Sequence, residues 1–244
     1  MNIFLTNDDG IMAEGIRVLA KELSKQHNVL VIAPATEKSA SSHSLTIRKS
    51  MSLKKVDFFG LEAYSLEGNP ADCVKFLLLH FTGFKPDMVI SGINRGGNMG
   101  RDVHYSGTVS AAMEGAILGT RSVAVSSFAH EDNEYQTCAS FVSKHIDMLY
   151  NLDYHETAYS INVPNLPEDE IKGYVFSKLG DVTFDDRYIS ESEGTYTLAG
   201  EPIAEFQEGT DVWYVNHGYI AVTPLMCNLT NFPVLEKLPR GIQK

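Results

Sequence analysis

Residues 91–119 read SGINRGGNMGRDVHYSGTVSAAMEGAILG. The residues just before them, Met88, Val89 and Ile90, are apolar and partly β-branched, which suits a buried strand. The loop that follows carries Gly92, Gly96, Gly97 and Gly100, and it closes on Ser106, Gly107 and Thr108. Beyond them Val109, Ala112, Met113, Ala116 and Ile117 recur at spacings of three and four, the pattern of a helix with one buried face. Small hydroxyl residues therefore stand at the start of a helix, where backbone N–H groups lack partners and the dipole is positive. Strand, glycine-rich loop and hydroxyl-capped helix is a common way to hold a phosphate, but it is also an ordinary connection with a serine cap. The rest of the chain has to decide between the two.

Upstream, residues 2–6 (NIFLT) form a short buried strand that ends at Asn7, Asp8, Asp9 and Gly10. Met12, Ile16, Leu19, Ala20 and Leu23 share one helical face, and residues 28–33 (NVLVIA) form a second strand closed by Pro34. Strand, helix, strand in so short a span is a βαβ unit with parallel pairing. A serine-rich loop covers residues 36–44; residues 46–56 alternate weakly and are read as pairing with 62–66. Asn69 and Pro70 open a helix with Ala71, Val74, Leu77, Leu78 and Phe81 inward. Residues 87–91, 122–128 and 157–163 supply further strands, and Cys138, Val142, His145, Ile146 and Leu149 mark a helix between the last two.

The rhythm changes after Pro164. Short β-prone pieces replace it: GYVFSKL, GTYTLAG, DVWYV and GYIAVTPL. These read as hairpins reaching away from the sheet, with residues 218–224 a candidate to return to it. The expectation is an α/β, three-layer, doubly wound and mostly parallel sheet in residues 1–165, followed by a β-hairpin-rich C-terminal extension in 166–244. Two-stranded hairpins cannot by themselves bury Tyr174, Phe176, Phe184, Tyr188, Tyr196, Phe206, Trp213 and Tyr214.

Composition narrows the function classes. The chain has 244 residues, 43% apolar and 21% charged, which is ordinary for a globular protein. A net charge of −11 makes it a poor general binder of nucleic-acid polymers, though a bound metal can still supply local positive charge for one small phosphate. Cys73, Cys138 and Cys227 have no close spacing, which argues against a disulfide framework and a zinc ribbon. No apolar run approaches the ~18 residues of a membrane span. The N-terminus lacks a basic and a long apolar region, so a cytoplasmic protein is expected.

In an open parallel sheet, ligands bind beyond the carboxyl ends of the strands. Three such ends carry polar groups here: Asp8 and Asp9 after the first strand, Ser39 after the second, and Asn94, Asn98 and Ser106 after the strand that ends near residue 91. Two carboxylates, a hydroxyl and an amide make an all-oxygen set suited to Mg²⁺, Mn²⁺ or Ca²⁺ rather than zinc. Taken singly, Asp8–Asp9–Gly10 is a turn and cap, Ser39 a solvated loop residue, and Asn94 a left-handed turn residue. Their convergence on one sheet edge lifts the functional reading. The sequence contains no GxxxxGK[ST], no GxGxxG in the first βα turn and no GxSxG, which excludes the P-loop, the dinucleotide fingerprint and the nucleophile elbow.

At these residues the chain resembles the survival protein SurE family of metal-dependent nucleotide phosphatases. The resemblance rests on residues 6–11 (TNDDGI), 31–34 (VIAP), 38–46 (KSASSHSLT), 68–74 (GNPADCV), 91–100 (SGINRGGNMG), 105–116 (YSGTVSAAMEGA), 161–164 (INVP) and 218–225 (GYIAVTPL). It implies a Rossmann-like fold and one divalent ion per subunit, Mg²⁺ or Mn²⁺, on Asp8, Asp9, Ser39 and Asn94. It also implies phosphate contacts at Asn98, Ser106, Gly107 and Thr108. A C-terminal extension reaching onto a partner subunit follows from it, giving a homodimer or homotetramer with Trp213 shielded from water. Residues 178–196 depart from the family, which carries an Arg- and Pro-containing segment there. The expected activity is hydrolysis of nucleoside 5′-monophosphates, with 3′-nucleotides a further substrate, and with Asp8 or Asp9 taking the proton of the attacking water. Polyphosphate or a sugar phosphate is the alternative substrate, and a nucleotide sensor without turnover the non-enzymatic alternative. His43 and His104 are candidates to protonate the leaving group.

Overall fold

A computed structural model of the chain describes residues 1–128, 135–181, 186–200 and 206–238. Alternation along the strands splits the core in two. In β1 (Asn2–Thr6), Ile3 and Leu5 enter one apolar cluster while Phe4 enters another; in β2 (Asn28–Pro34), Val29, Val31 and Ala33 go one way and Leu30 and Ile32 the other. Period-two side chains with both faces covered are what a central parallel sheet requires. The first cluster is closed by α1 (Glu14–Leu23), α4 (Tyr135–Lys144) and α5 (Ile146–Tyr150). On the other face lie α2 (Pro70–His80) and α3 (Gly107–Ile117), which pack on each other. Sheet between two helical layers is the expected three-layer α/β architecture.

The remaining strands are β3 (Leu53–Lys55), β4 (Glu62–Leu66), β5 (Met88–Arg95), β6 (Arg121–Phe128), β7 (Thr157–Pro164), β8 (Tyr174–Phe176), β9 (Arg187–Ser192), β10 (Thr195–Ala199) and β11 (Ile220–Met226). Nine strands form the main sheet in the order β3-β4-β2-β1-β5-β6-β7-β11-β8. Within this sheet, among the described residues, only β3–β4 and β7–β11 pair antiparallel. From β1 the chain winds outward to β2 and β4, then returns to β5 on the other side of β1 and winds outward again through β6 and β7. The order therefore reverses between β1 and β5, and the crevice beyond their carboxyl ends is the natural ligand site.

The ladder between β5 and β6 slips between Ser91 and Asn94. Gly92 permits the slip: a Cβ there would lie 2.3 Å from the Val125 carbonyl oxygen. Such a bulge carries β5 on to Arg95, past the expected end at residue 91, and re-aims Asn94 at the sheet edge.

Several expectations change. Met12 and Ile117 are exposed, because Met12 lies in the turn ahead of α1 and Ile117 is the last residue of α3. The helix through residues 138–149 breaks at His145 into α4 and α5. After Pro164, among the described residues, only β9 and β10 form a hairpin, a two-stranded sheet of their own with almost every residue exposed. GYVFSKL contributes β8, which pairs parallel with β11, and β11 does return to the main sheet beside β7. DVWYV is not a strand but the helix α6 (Asp211–Asn216), started by Thr210, whose Oγ1 accepts from the Trp213 N–H. The rings divide accordingly. Phe206 and Tyr214 pack on the core cluster of Met99, Val212, Val215 and Ala221, Tyr174 meets Phe141 and His145, and half-buried Trp213 stacks on His217. Tyr188 and Tyr196 on the hairpin stay exposed, and Phe184 lies outside the described residues. Among the described residues no helix is long and apolar enough to cross a membrane.

Candidate active site

Asn7 is fully buried and its Nδ2 donates to the Gly10 carbonyl at 2.9 Å, folding Asp8 and Asp9 into a tight turn beyond β1. Asp8 is 5% exposed. Its Oδ2 accepts the Thr108 N–H at 3.1 Å and its Oδ1 accepts the Thr108 hydroxyl, so the carboxylate sits on the first turn of α3. Gly107 makes this approach possible: a Cβ there would stand 2.9 Å from Asp8 Cβ and 2.7 Å from Ser41 Oγ. Asp9 Oδ2 accepts the Arg95 N–H at 3.1 Å. The amide nitrogen of Asn94 is given to the Gly96 carbonyl at 2.8 Å, which leaves its oxygen for another partner. The Lys38 N–H donates to the Asp8 carbonyl at 2.7 Å and so ties the serine-rich loop to the end of β1, while Ser39 donates its hydroxyl to Glu37. Asp8, Asp9, Ser39, Asn94, Asn98 and Ser106 thereby line one cleft of about 250 Å³.

The two acids are destabilised as anions. Burial pushes the Asp8 carboxyl up despite the hydrogen bonds from Thr108. Burial, then repulsion from Asp8, pushes Asp9 up to about 6. A cation between them would reverse both effects. Among the described residues no three His, Cys, Asp or Glu side chains converge on one point; the set here is two carboxylates completed by a hydroxyl and an amide. Ser41 Oγ, buried beside Gly107, has no hydrogen-bond partner, an orphan that a ligand at this end of the helix would satisfy. The donor chemistry fits a hard divalent ion.

The other half of the cleft presents hydrogen-bond donors at the start of α3. Ser106 is the N-cap of α3 and its Oγ accepts from the Val109 N–H at 3.0 Å, which leaves its proton to donate elsewhere. Gly107 is the first helical residue, whose N–H has no partner within the helix. Asn98 is clamped from below: its N–H donates to Asn162 Oδ1 at 2.8 Å and its Nδ2 to Ser126 Oγ at 2.9 Å. Thr108 differs from the expectation. Both its donors are engaged by Asp8, so it acts here through the carboxylate rather than as an open phosphate contact. The two histidines also sit elsewhere. His43 Nε2 is 2.9 Å from Glu114 Oε2, and His43 and His104 line a separate apolar groove with Met113 and Leu225. A cleft of about 830 Å³ lies at the opposite end of the strands, and among the described residues Lys85 is the charged one in its lining.

Sequence reasoning missed Arg95, Asp102 and Tyr105 in the cleft lining, and Ser126 and Asn162 beneath it. A fully buried asparagine in the middle of INVP was the available signal, since such a side chain must have partners.

The survival protein SurE family model matches residues 3–186 of the chain. A 5′-nucleotidase SurE of Clostridium botulinum is 44% identical over 245 residues, covering 97% of each chain. The chain belongs to the SurE family. A 5′-nucleotidase SurE of Thermosipho africanus is likewise 44% identical, over 98% of this chain and 96% of its own. The crystal structure of the SurE protein from Aquifex aeolicus superposes with a TM-score of 0.86 at 37% identity, covering 98% of both chains. The SurE family match ends where β9 begins, so the exposed hairpin lies beyond it, while the full-length relatives extend past it.

Proposed function

We propose that the chain is a divalent-metal-dependent phosphatase that hydrolyses nucleoside 5′-monophosphates, and 3′-nucleotides as further substrates, to nucleoside and phosphate. The names of its relatives supply the substrate class. The observation that carries the reading is one cleft that joins a mutually repelling carboxylate pair, Asp8 buried and Asp9 half-buried, to the N-terminus of α3. Asp8, Asp9, Ser39 and Asn94 would hold one Mg²⁺ or Mn²⁺ per subunit. The ion, when bound, neutralises the carboxylate pair and draws charge from the phosphoryl group. Ser106, the Gly107 N–H and Asn98 bind the phosphoryl oxygens in the field of the helix start. Thr108 holds Asp8 in place. Asp9 Oδ1, which makes no hydrogen bond among the described residues, takes the proton of the attacking water.

The exposed hairpin serves as an arm onto a second copy, giving a homodimer or homotetramer. Cys73, Cys138 and Cys227 form no disulfide among the described residues, which suits a reducing compartment, and we place the enzyme in the cytoplasm. Phosphate release from nucleoside 5′- and 3′-monophosphates, inorganic polyphosphate and sugar phosphates separates the readings. The highest kcat/KM belongs to a nucleoside monophosphate; a clear preference for polyphosphate or a sugar phosphate would replace the substrate but not the site.

A further inference from the structure

The site lacks an assigned proton donor for the leaving group. Hydrolysis breaks the P–O5′ bond, joins phosphorus to the water oxygen and sends the water proton to Asp9. The nucleoside alkoxide must gain a proton as it leaves, since an alkoxide is too basic to depart bare at neutral pH. The titratable and cationic side chains of the cleft are Asp8, Asp9, Arg95, Asp102 and Tyr105. Asp8 is held by Thr108 on the cation side, Asp9 already serves as the base for the attacking water, and Arg95 keeps its proton in any protein setting. His43 is bound to Glu114 and His104 opens on the neighbouring groove.

Resting on the phosphatase reading, we propose that Asp102 is the general acid that protonates the leaving oxygen. It lies in the 3₁₀ turn Gly100–His104, immediately ahead of the Ser106 cap, and it is half-buried in the same cleft. The turn is fixed at both ends. Gly100 N–H donates to buried Asp211 at 2.9 Å, and the Asp102 carbonyl accepts the Tyr105 and Ser106 N–H groups at 3.0 and 3.2 Å. The Asp102 carboxyl itself makes no hydrogen bond or ion pair among the described residues, so no protein group competes with a substrate oxygen for it. The charged groups around it favour the acid form: Asp211 of α6 and Asp186 ahead of β9, with burial the larger cause. Arg101 on its own turn is paired with Asp181 at 2.6 Å, His104 on that turn is exposed, and Asp8, Asp9 and Arg95 line the same cleft. Tyr105 is 65% exposed at the rim, a poorer position from which to meet a buried leaving oxygen. After each turnover Asp102 recovers its proton from solvent.

The test compares leaving groups on the metal-loaded enzyme. p-Nitrophenyl phosphate releases an anion that is stable at neutral pH and needs no proton, whereas a nucleoside 5′-monophosphate needs one. Asp102→Asn lowers kcat/KM for the nucleotide by roughly 10²–10⁴-fold and that for p-nitrophenyl phosphate by less than about tenfold. Asp102→Glu recovers part of the nucleotide rate, and Tyr105→Phe shows no such selectivity. In the wild-type enzyme the alkaline fall of kcat/KM that marks loss of an essential acid is present for the nucleotide and absent for p-nitrophenyl phosphate. Equal losses on both substrates, a selective loss in Tyr105→Phe instead, or identical alkaline limbs in the wild type would overturn the assignment. A wild-type protein that cleaves neither ester would instead refute the phosphatase reading itself.

Discussion

At Asp9, burial and the Asp8 charge both oppose ionisation, and the hydrogen bond from Arg95 offsets them only in part. The folded carboxyl holds its proton to about 6, against an ordinary aspartate value of 3.8. Between those values the folded state binds more protons than the unfolded one, so the stabilisation is complete below the lower value and is lost as pH rises through the upper one. Asp8 shifts in the same direction. In chelator, therefore, Asp9→Asn melts at a higher temperature than the wild type at pH 7, and the difference closes near pH 4. Saturating Mg²⁺ reverses the order at pH 7, because the wild type alone gains a bound ion. Thermal melts of both proteins at the two pH values, with and without metal, check this; a wild type insensitive to metal would count against the site. Gly107→Ala tests the seat of Asp8. Its methyl group meets Asp8 Cβ at 2.9 Å and Asp8 Oδ2 at 3.0 Å, so calorimetry should record metal affinity at least about tenfold weaker, about 1.4 kcal/mol. Thr108→Val removes one donor to a buried carboxylate and should cost ~1.5–3 kcal/mol, read as weakened metal binding rather than a raised KM alone.

Among the elements, α6 shows where local reading fails. Val212, Trp213, Tyr214 and Val215 are β-branched or aromatic and favour a strand by propensity. What overrides them is the start of the helix. Thr210 caps it, and Asp211 accepts the N–H groups of Gly100, Gly180 and Val212 at 2.9, 2.7 and 2.8 Å. The Thr–Asp pair was readable as a helix start. The Gly100 contact, 111 residues away, was not, because it exists only once the fold has closed. The βα half was legible for the converse reason: β1, β2 and β5 are continuous apolar runs, and α1 carries its buried Ile16, Leu19, Ala20 and Leu23 at helical spacing. The acids and amides of the cleft could be named because they lie at or just beyond strand ends. Asp102 could not, since its turn shows no periodicity. Asp211→Ala leaves three backbone donors of a buried clamp without an acceptor and should cost about 3–5 kcal/mol, less than their sum because they share one partner. Urea unfolding measures it, and a loss under about 1 kcal/mol would mean that the clamp is incidental.

For the whole molecule, the β9–β10 hairpin is the part least explained by a single chain. A lone two-stranded hairpin is marginal in water, yet this one exposes Tyr188, Tyr196 and Leu198 at 72%, 63% and 56%. A second copy would cover them, so sedimentation at micromolar concentration should show a dimer or tetramer, and Tyr188→Ser with Leu198→Ser should shift it toward monomer. A fully active, monodisperse wild-type monomer would remove the arm while leaving the cleft untouched. The central claim is metal-dependent phosphoryl hydrolysis at the Asp8–Asp9 crevice, and the most direct measurement is inorganic phosphate released from a nucleoside 5′-monophosphate by the purified protein. Activity should vanish in excess chelator, return when Mg²⁺ or Mn²⁺ is restored, and stay absent in Asp9→Asn under both conditions; undiminished release in chelator, or wild-type rates from Asp9→Asn, would contradict it.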